Sequence, residues 1–269
     1  MTIVITILMV AASLLIHEWA HVFVIKFMGA KVEKVGFFPL GMMAKARRLE
    51  TLNAWERYAV FVAGPAANIA IALWAFAVSH ISYVGVGFLD DLAFYSAVLG
   101  IFNLLPALPM DGGRILHQFL GNRIGILRAN RFMLRLGIVV SYTFILFGIV
   151  QAILFPFNIS LLLAGFFIRK KHKTLPSELE AAFHLAIDGK NHINRARTLP
   201  IKKIKISPDT NIKQAMERLT GDYFINFYID DNKQPLREQT LINHVFKHGI
   251  AGTVGGIIVD VLVKSEESL

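Results

Sequence analysis

Ile3-Val4-Ile5-Thr6-Ile7-Leu8-Met9-Val10-Ala11-Ala12-Ser13-Leu14-Leu15-Ile16-His17-Glu18-Trp19-Ala20-His21-Val22-Phe23-Val24-Ile25-Lys26-Phe27-Met28 is apolar enough and long enough to cross a bilayer, yet carries two histidines and a glutamate. Residues four apart on a helix differ by about 40° of rotation, so His17 and His21 project from one face. Two neutral imidazoles so placed are ready to hold one zinc ion, and Glu18 beside them is positioned to serve as general base. Ionisable groups inside a membrane segment are costly and mark function by default. The H-E-x-x-H therefore predicts metal-assisted hydrolysis carried out on a membrane helix.

Composition agrees with a membrane protein. The 269 residues are 55% hydrophobic and only 17% charged. A formal charge of +9 could suggest nucleic acid, but the basic residues cluster beside apolar segments, which reads as topology rather than a phosphate groove, so no nucleic-acid partner is expected. There is no cysteine, so any metal must use His, Asp or Glu. The N-terminus has no basic leader, and no cleavable signal peptide is expected.

The apolar segments are residues 3–28, 55–80, 92–108, 132–154 and 157–168, which predicts about five spans. Lys and Arg follow the first, third and fifth segments and are missing from the second and fourth connections. The positive-inside rule then predicts a multi-pass membrane protein, N-terminus outside and C-terminus cytoplasmic; the membrane expected is that of a bacterial cell. Lys31-Val32-Glu33-Lys34-Val35, a Gly36–Gly41 turn and Met42-Met43-Ala44-Lys45 predict a short interfacial hairpin. Beyond Lys173 the chain turns polar. Ser177-Glu178-Leu179-Glu180 opens a short helix, residues 191–198 read as a linker, and from Leu199 a strand–helix–strand–helix order suggests a small α/β module. The expected domains are a membrane hydrolase domain at 1–169, an interfacial helix and linker at 170–198, and a cytoplasmic regulatory module at 199–269.

Two histidines leave a catalytic zinc short of one protein ligand. Asn103-Leu104-Leu105-Pro106-Ala107-Leu108-Pro109-Met110-Asp111-Gly112-Gly113-Arg114 offers it. Pro106 and Pro109 break the helix, and non-helical backbone at membrane depth is tolerated only against protein or a wet cavity. Asp111 then ends the broken segment, followed by glycines that permit close backbone approach. His80 and His117 read as interfacial residues. A rival reading is a membrane transporter or channel gated by a nucleotide-sensing cytoplasmic module, since broken helices with polar groups also mark transporters. The apolar segments show no internal repeat, and the polar residues converge on one hydrolase constellation.

His17-Glu18-x-x-His21 in one helix, Gly64-Pro65-Ala66-Ala67-Asn68 in the next and Asn103-x-x-Pro106-x-x-Pro109-x-Asp111-Gly112 in a third resemble the site-2 protease family of intramembrane zinc metalloproteases. The resemblance covers about residues 3–114 by motif and 132–168 by hydropathy. It implies one catalytic Zn2+ held by His17, His21 and Asp111, with Glu18 as catalytic base. It also implies active-site support from Asn103, Pro106, Pro109, Gly112, Gly64, Pro65 and Asn68, with Gly64-Pro65 at a conformational break and the hairpin receiving a membrane-associated substrate. The C-terminal stretch Pro200–Lys247 is similar to a single CBS module, as in the stage IV sporulation protein FB type. That type implies ATP binding, self-association into a homo-oligomer, inhibitory membrane partners and the pro-sequence of a sporulation sigma factor as substrate.

Overall fold

The computed structural model describes residues 3–29, 32–38, 41–46, 52–81, 86–155, 159–177, 179–180, 200–229 and 235–259. They form two compact units: residues 1–116 with 136–173, and residues 117–135 with 174–269. The sequence divides the chain only near 169 and 198; tertiary contacts group the segment 117–135 with the C-terminal residues instead.

The first unit is helical. Helix α1 (Ile3–Phe27) leads into a hairpin of β1 (Val32–Phe38) and β2 (Gly41–Ala46), followed by α2 (Ala54–Ile81) and α3 (Val86–Asn103). The hairpin is antiparallel, pairing Val35 with Ala44 and Phe38 with Gly41; its tip at residues 39–40 lies outside the described residues. Asn53 and Glu56 cap α2 reciprocally: Glu56 N–H donates to Asn53 Oδ1 (2.9 Å) and Asn53 N–H to Glu56 Oε2 (2.8 Å). After a non-helical stretch at 104–110 come α4 (Asp111–Ile124), α5 (Ile126–Leu154) and α6 (Ser160–Lys171). Among the described residues α1, α2 and α5 are long and apolar enough to cross a membrane. Helix α3 has 18 residues and α6 only 12.

Helix α1 is polar inside and apolar outside. Its buried stripe is Met9, Ser13, His17, His21 and Ile25, spaced four apart, whereas Leu8, Leu15, Trp19, Phe23 and Phe27 are exposed. The same inversion recurs on α2, which buries Gly64, Asn68, Ala72, Ala75 and Ser79. Lipid is as apolar as leucine, so small and hydrogen-bonding residues, not large apolar ones, bring membrane helices together. Ser13 and Ser96 form such a buried link between α1 and α3, Oγ to Oγ 2.8 Å. Gly165 lets α6 pack against α5, since a Cβ there would fall 2.8 Å from the Ile145 nitrogen.

One expectation is corrected: α2 runs unbroken through Gly64-Pro65. Proline removes one helical donor, but neighbouring helices can hold a membrane helix continuous across it, and α2 packs against both α1 and α3.

The second unit has a three-stranded sheet in the order β3 (Ile201–Lys205), β4 (Phe224–Tyr228), β5 (Leu236–Arg237), with β3 parallel and β5 antiparallel to β4. Helices α7 (Ile212–Met216) and α8 (Glu238–His248) cover it, and Leu219, Ile225, Phe227, Leu241 and Val254 form its core. The sequence reading had no β5, because two residues carry no alternation. The chain is helical already at Leu175, so Ser177 lies inside that helix, its hydroxyl donating to the Thr174 carbonyl (2.8 Å), rather than capping it. Residues 181–199 lie outside the described residues. Segment 117–135 joins this unit through specific contacts. Leu127 packs on the core, Ile126 N–H donates to the Leu219 carbonyl (2.9 Å), Asn122 bonds Asp222, and Glu217 accepts from Arg128 (3.0 Å) and Arg131 (2.7 Å). Gly125 makes this possible: its φ is +91°, and a Cβ there would lie 1.9 Å from the Glu217 carbonyl oxygen.

Candidate metal centre

Three buried side chains converge from two ends of the first unit. His17 and His21 come from the polar face of α1, and Asp111 opens α4. His17 Nε2 and His21 Nε2 are 3.2 Å apart, and each lies 3.1 Å from Asp111 Oδ2. These three atoms form a nearly equilateral triangle. Ligands about 2.0–2.1 Å from a tetrahedral zinc stand about 3.3–3.4 Å from one another. The triangle is within roughly 0.3 Å of that spacing, and two imidazoles with a carboxylate are a donor set that zinc accepts, so the residues fit the ion.

The neighbours make room for this cluster and orient it. His21 Nδ1–H donates to the Val60 carbonyl at 2.7 Å, which leaves Nε2 with its lone pair towards the triangle. At Gly64 a Cβ would come within 2.4 Å of His21 Nε2 and 2.6 Å of His17 Nε2, so no side chain can stand there. Asp111 is seated by the residues after it: a Cβ at Gly112 would meet the Leu104 carbonyl oxygen at 2.0 Å, and one at Gly113 the Ala107 carbonyl carbon at 2.4 Å. The first turn of α4 thus presses onto the 104–108 backbone, and the positive end of its dipole favours the Asp111 carboxylate. Pro106 and Pro109 belong to this non-helical stretch, with a cis bond between Leu108 and Pro109.

Glu18 is half-buried next to His17 on α1. Arg114, which the sequence reading did not single out, places Nη1 3.4 Å from Asp111 Oδ1. Its signal was its position one helical turn after an aspartate. The two asparagines part company. Asn68 Nδ2 lies 3.1 Å from His17 Nδ1, whereas Asn103 donates to the Leu99 carbonyl of its own helix (3.0 Å). Gly64 and Pro65 are buried on the face of α2 that carries Asn68. His117 donates to Asn130 Oδ1 (2.6 Å), and His80 to the Phe76 carbonyl (2.9 Å).

Known proteins resemble the chain over this same region. The family model described as Peptidase family M50 matches residues 5–92 and 82–148, together more than half of the chain. Zinc metalloprotease MJ0392 of Methanocaldococcus jannaschii is 26% identical over 225 residues, which cover 82% of this chain and 62% of that protein. Stage IV sporulation protein FB of Bacillus subtilis is 26% identical over 121 residues, 45% of this chain and 42% of that protein. The chain thus spans less than two thirds of the length of either relative. The solved structure of the site-2 protease from Methanocaldococcus jannaschii aligns with a TM-score of 0.52 and 28% identity, covering 63% of this chain and 76% of that one. A membrane-helix H-E-x-x-H, an aspartate brought to it from 90 residues away and a family match across both make the chain a member of Peptidase family M50, the site-2 type of metalloprotease.

Proposed function

We propose that this chain is an intramembrane zinc metalloendopeptidase that hydrolyses a peptide bond in a membrane-embedded or membrane-associated protein. The observation that carries the reading is the buried triangle of His17 Nε2, His21 Nε2 and Asp111 Oδ2, with Glu18 beside it. His17, His21 and Asp111 would hold the metal. A zinc ion bound there supplies Lewis acidity, polarising the scissile carbonyl and lowering the pKa of water. Glu18 takes the proton of the attacking water and returns it to the leaving amine. Val60 fixes the ring of His21, and Arg114 balances the charge of Asp111. Gly112 and Gly113 seat the aspartate against the 104–108 backbone.

In this reading a substrate unwinds locally and adds as a strand to the β1–β2 hairpin, which packs against α1. Five spans carry the enzyme, with the N-terminus outside, the metal in the cytoplasmic half and the C-terminal module cytoplasmic. That module is of CBS type, binds ATP, pairs with a second copy and regulates cleavage. Its parallel β3–β4 pair with a helix between supports a nucleotide-sensing cap. The likeness to stage IV sporulation protein FB favours a sporulation sigma-factor precursor as substrate and membrane proteins as inhibitors.

Co-expression with candidate substrates, a sigma-factor precursor first, tests the reading. Wild type should cleave and carry one zinc per chain. Glu18→Gln should keep the zinc and lose about 10²–10⁴-fold in rate. Zinc-free protein, or cleavage untouched by Glu18→Gln, would return the chain to the rival reading of a gated transporter.

A further inference from the structure

Asn68 stands one turn beyond Gly64 on α2 and is fully buried. Its Nδ2 is 3.1 Å from His17 Nδ1, on the ring edge away from the nitrogen that joins the triangle. Its Oδ1 has no hydrogen-bond partner among the described residues. With one end unpaired, the amide has no second hydrogen bond among the described residues to hold it in one orientation.

We propose that Asn68 is a positioning residue that selects the tautomer of His17 and so sets the affinity of the centre for zinc; this rests on the metal-centre reading above. A neutral imidazole has one N–H and one lone pair. For His21 the choice is fixed, because a backbone carbonyl faces Nδ1 and can only accept. His17 faces an amide, which presents a donor at one end and an acceptor at the other. With Nδ2 towards the ring, Nδ1 accepts, and Nε2 carries the hydrogen that Asp111 Oδ2 accepts at 3.1 Å. With Oδ1 towards the ring, Nδ1 carries the hydrogen and Nε2 turns its lone pair to the triangle. The two ends of the amide have nearly the same shape, so a half turn interchanges these states without repacking. The turned state gives Oδ1 a partner and leaves Nδ2 in the unpaired place, so the number of bonds to the amide is unchanged.

Two substitutions in the full chain separate this role from packing. Asn68→Leu keeps the volume and removes both polar ends; Asn68→Asp keeps an acceptor at the same reach. Zinc affinity measured by chelator competition should fall about 10–100-fold in Asn68→Leu and stay within about threefold of wild type, or tighten, in Asn68→Asp. A packing role predicts the reverse, with leucine tolerated and a buried carboxylate disruptive. Wild-type affinity in Asn68→Leu, or an equal loss in both variants, overturns the proposal. ¹⁵N spectra of histidine-labelled wild type test it even where a variant does not fold. The His17 hydrogen should reside on Nε2 without zinc and on Nδ1 with it, and a hydrogen that stays put overturns the proposal. Wild-type protein that binds no zinc at all refutes the metal centre itself, a separate result.

Discussion

A Cβ on Gly64 would lie 2.4 Å from Nε2 of His21, closer than any non-bonded carbon can stand. The nitrogen that α1 turns to the His17–His21–Asp111 triangle is therefore sheltered by the bare backbone of α2. Gly64→Ala should displace both imidazoles, since the same Cβ falls 2.6 Å from His17 Nε2. The expected outcome is loss of stoichiometric zinc, read by elemental analysis of purified protein, together with loss of cleavage. A variant that keeps its zinc would show that α1 and α2 can separate at this point without harm.

Asp111 supplies the corner of the triangle that α1 cannot. Asp111→Asn keeps the shape and removes the charge that faces Arg114 and that the proposed zinc would need. Loss of an outer partner of a ligand costs about 10–100-fold in metal affinity, so loss of a ligand should exceed about 100-fold. Titration with a competing zinc chelator gives the number, and a change under tenfold would place the third ligand elsewhere.

Much of this centre was legible in the sequence because it follows from local rules. Four-residue spacing puts His17 and His21 on one face whatever surrounds them, and two prolines three apart end a helix before Asp111. What could not be read depends on packing between distant segments. Asn68 and Asn103 look equivalent as polar residues in apolar runs, yet of the two it is Asn68 that reaches His17, because Asn103 spends its amide on its own helix. Pro65 suggested a break where α2 is continuous. The grouping of residues 117–135 with the C-terminal unit rests on Glu217 meeting Arg128 and Arg131, 89 and 86 residues away. No periodicity encodes a contact of that range.

Gly113 and Gly121 both lie in α4, but only the first is confined. A Cβ at Gly113 would be 2.4 Å from the Ala107 carbonyl carbon; at Gly121 the nearest atom is Ile126 Cγ1 at 3.8 Å. Gly113→Ala should lower both the melting temperature and the bound zinc by unseating Asp111. Gly121→Ala should leave zinc unchanged and stabilise the helix by about 0.5–1 kcal/mol. Thermal melts of the two variants with and without zinc check the contrast, and equal behaviour would contradict the seating of Asp111 on the 104–108 backbone.

If substrate adds as a strand to the hairpin, interrupting the hairpin should impair cleavage and spare the metal. Val35 pairs with Ala44 in the middle of the ladder, and proline cannot donate there. Val35→Pro should cut cleavage at least about tenfold with one zinc still bound per chain. Unchanged cleavage at full zinc occupancy would remove the hairpin from substrate docking.

Within the second unit, Glu217 meets the start of α5 through Arg131 Nη2 at 2.7 Å and Arg128 Nε at 3.0 Å. Burial raises the Glu217 pKa, but hydrogen bonds from Arg128 and Arg131 outweigh it and leave the carboxyl below its ordinary 4.5. A carboxyl with a lowered folded pKa stabilises the folded state fully above its unfolded value, and that stability is lost as pH falls through the folded one. A double-mutant cycle of Glu217→Gln with Arg131→Gln in the full chain should therefore give a coupling of about 0.2–1 kcal/mol at neutral pH, as expected for a pair with one exposed partner. The coupling should weaken with salt and fade as pH drops below 4.5. Hydrogen exchange of the β4 amides, corrected for intrinsic rate, reads this opening locally. If, as proposed, the C-terminal module binds ATP and regulates cleavage, Glu217→Gln should also change the response of cleavage to added ATP while the zinc content stays fixed. A coupling that survives acid would mean that apolar contacts such as Leu127, not the ion pairs, hold the segment 117–135 in place.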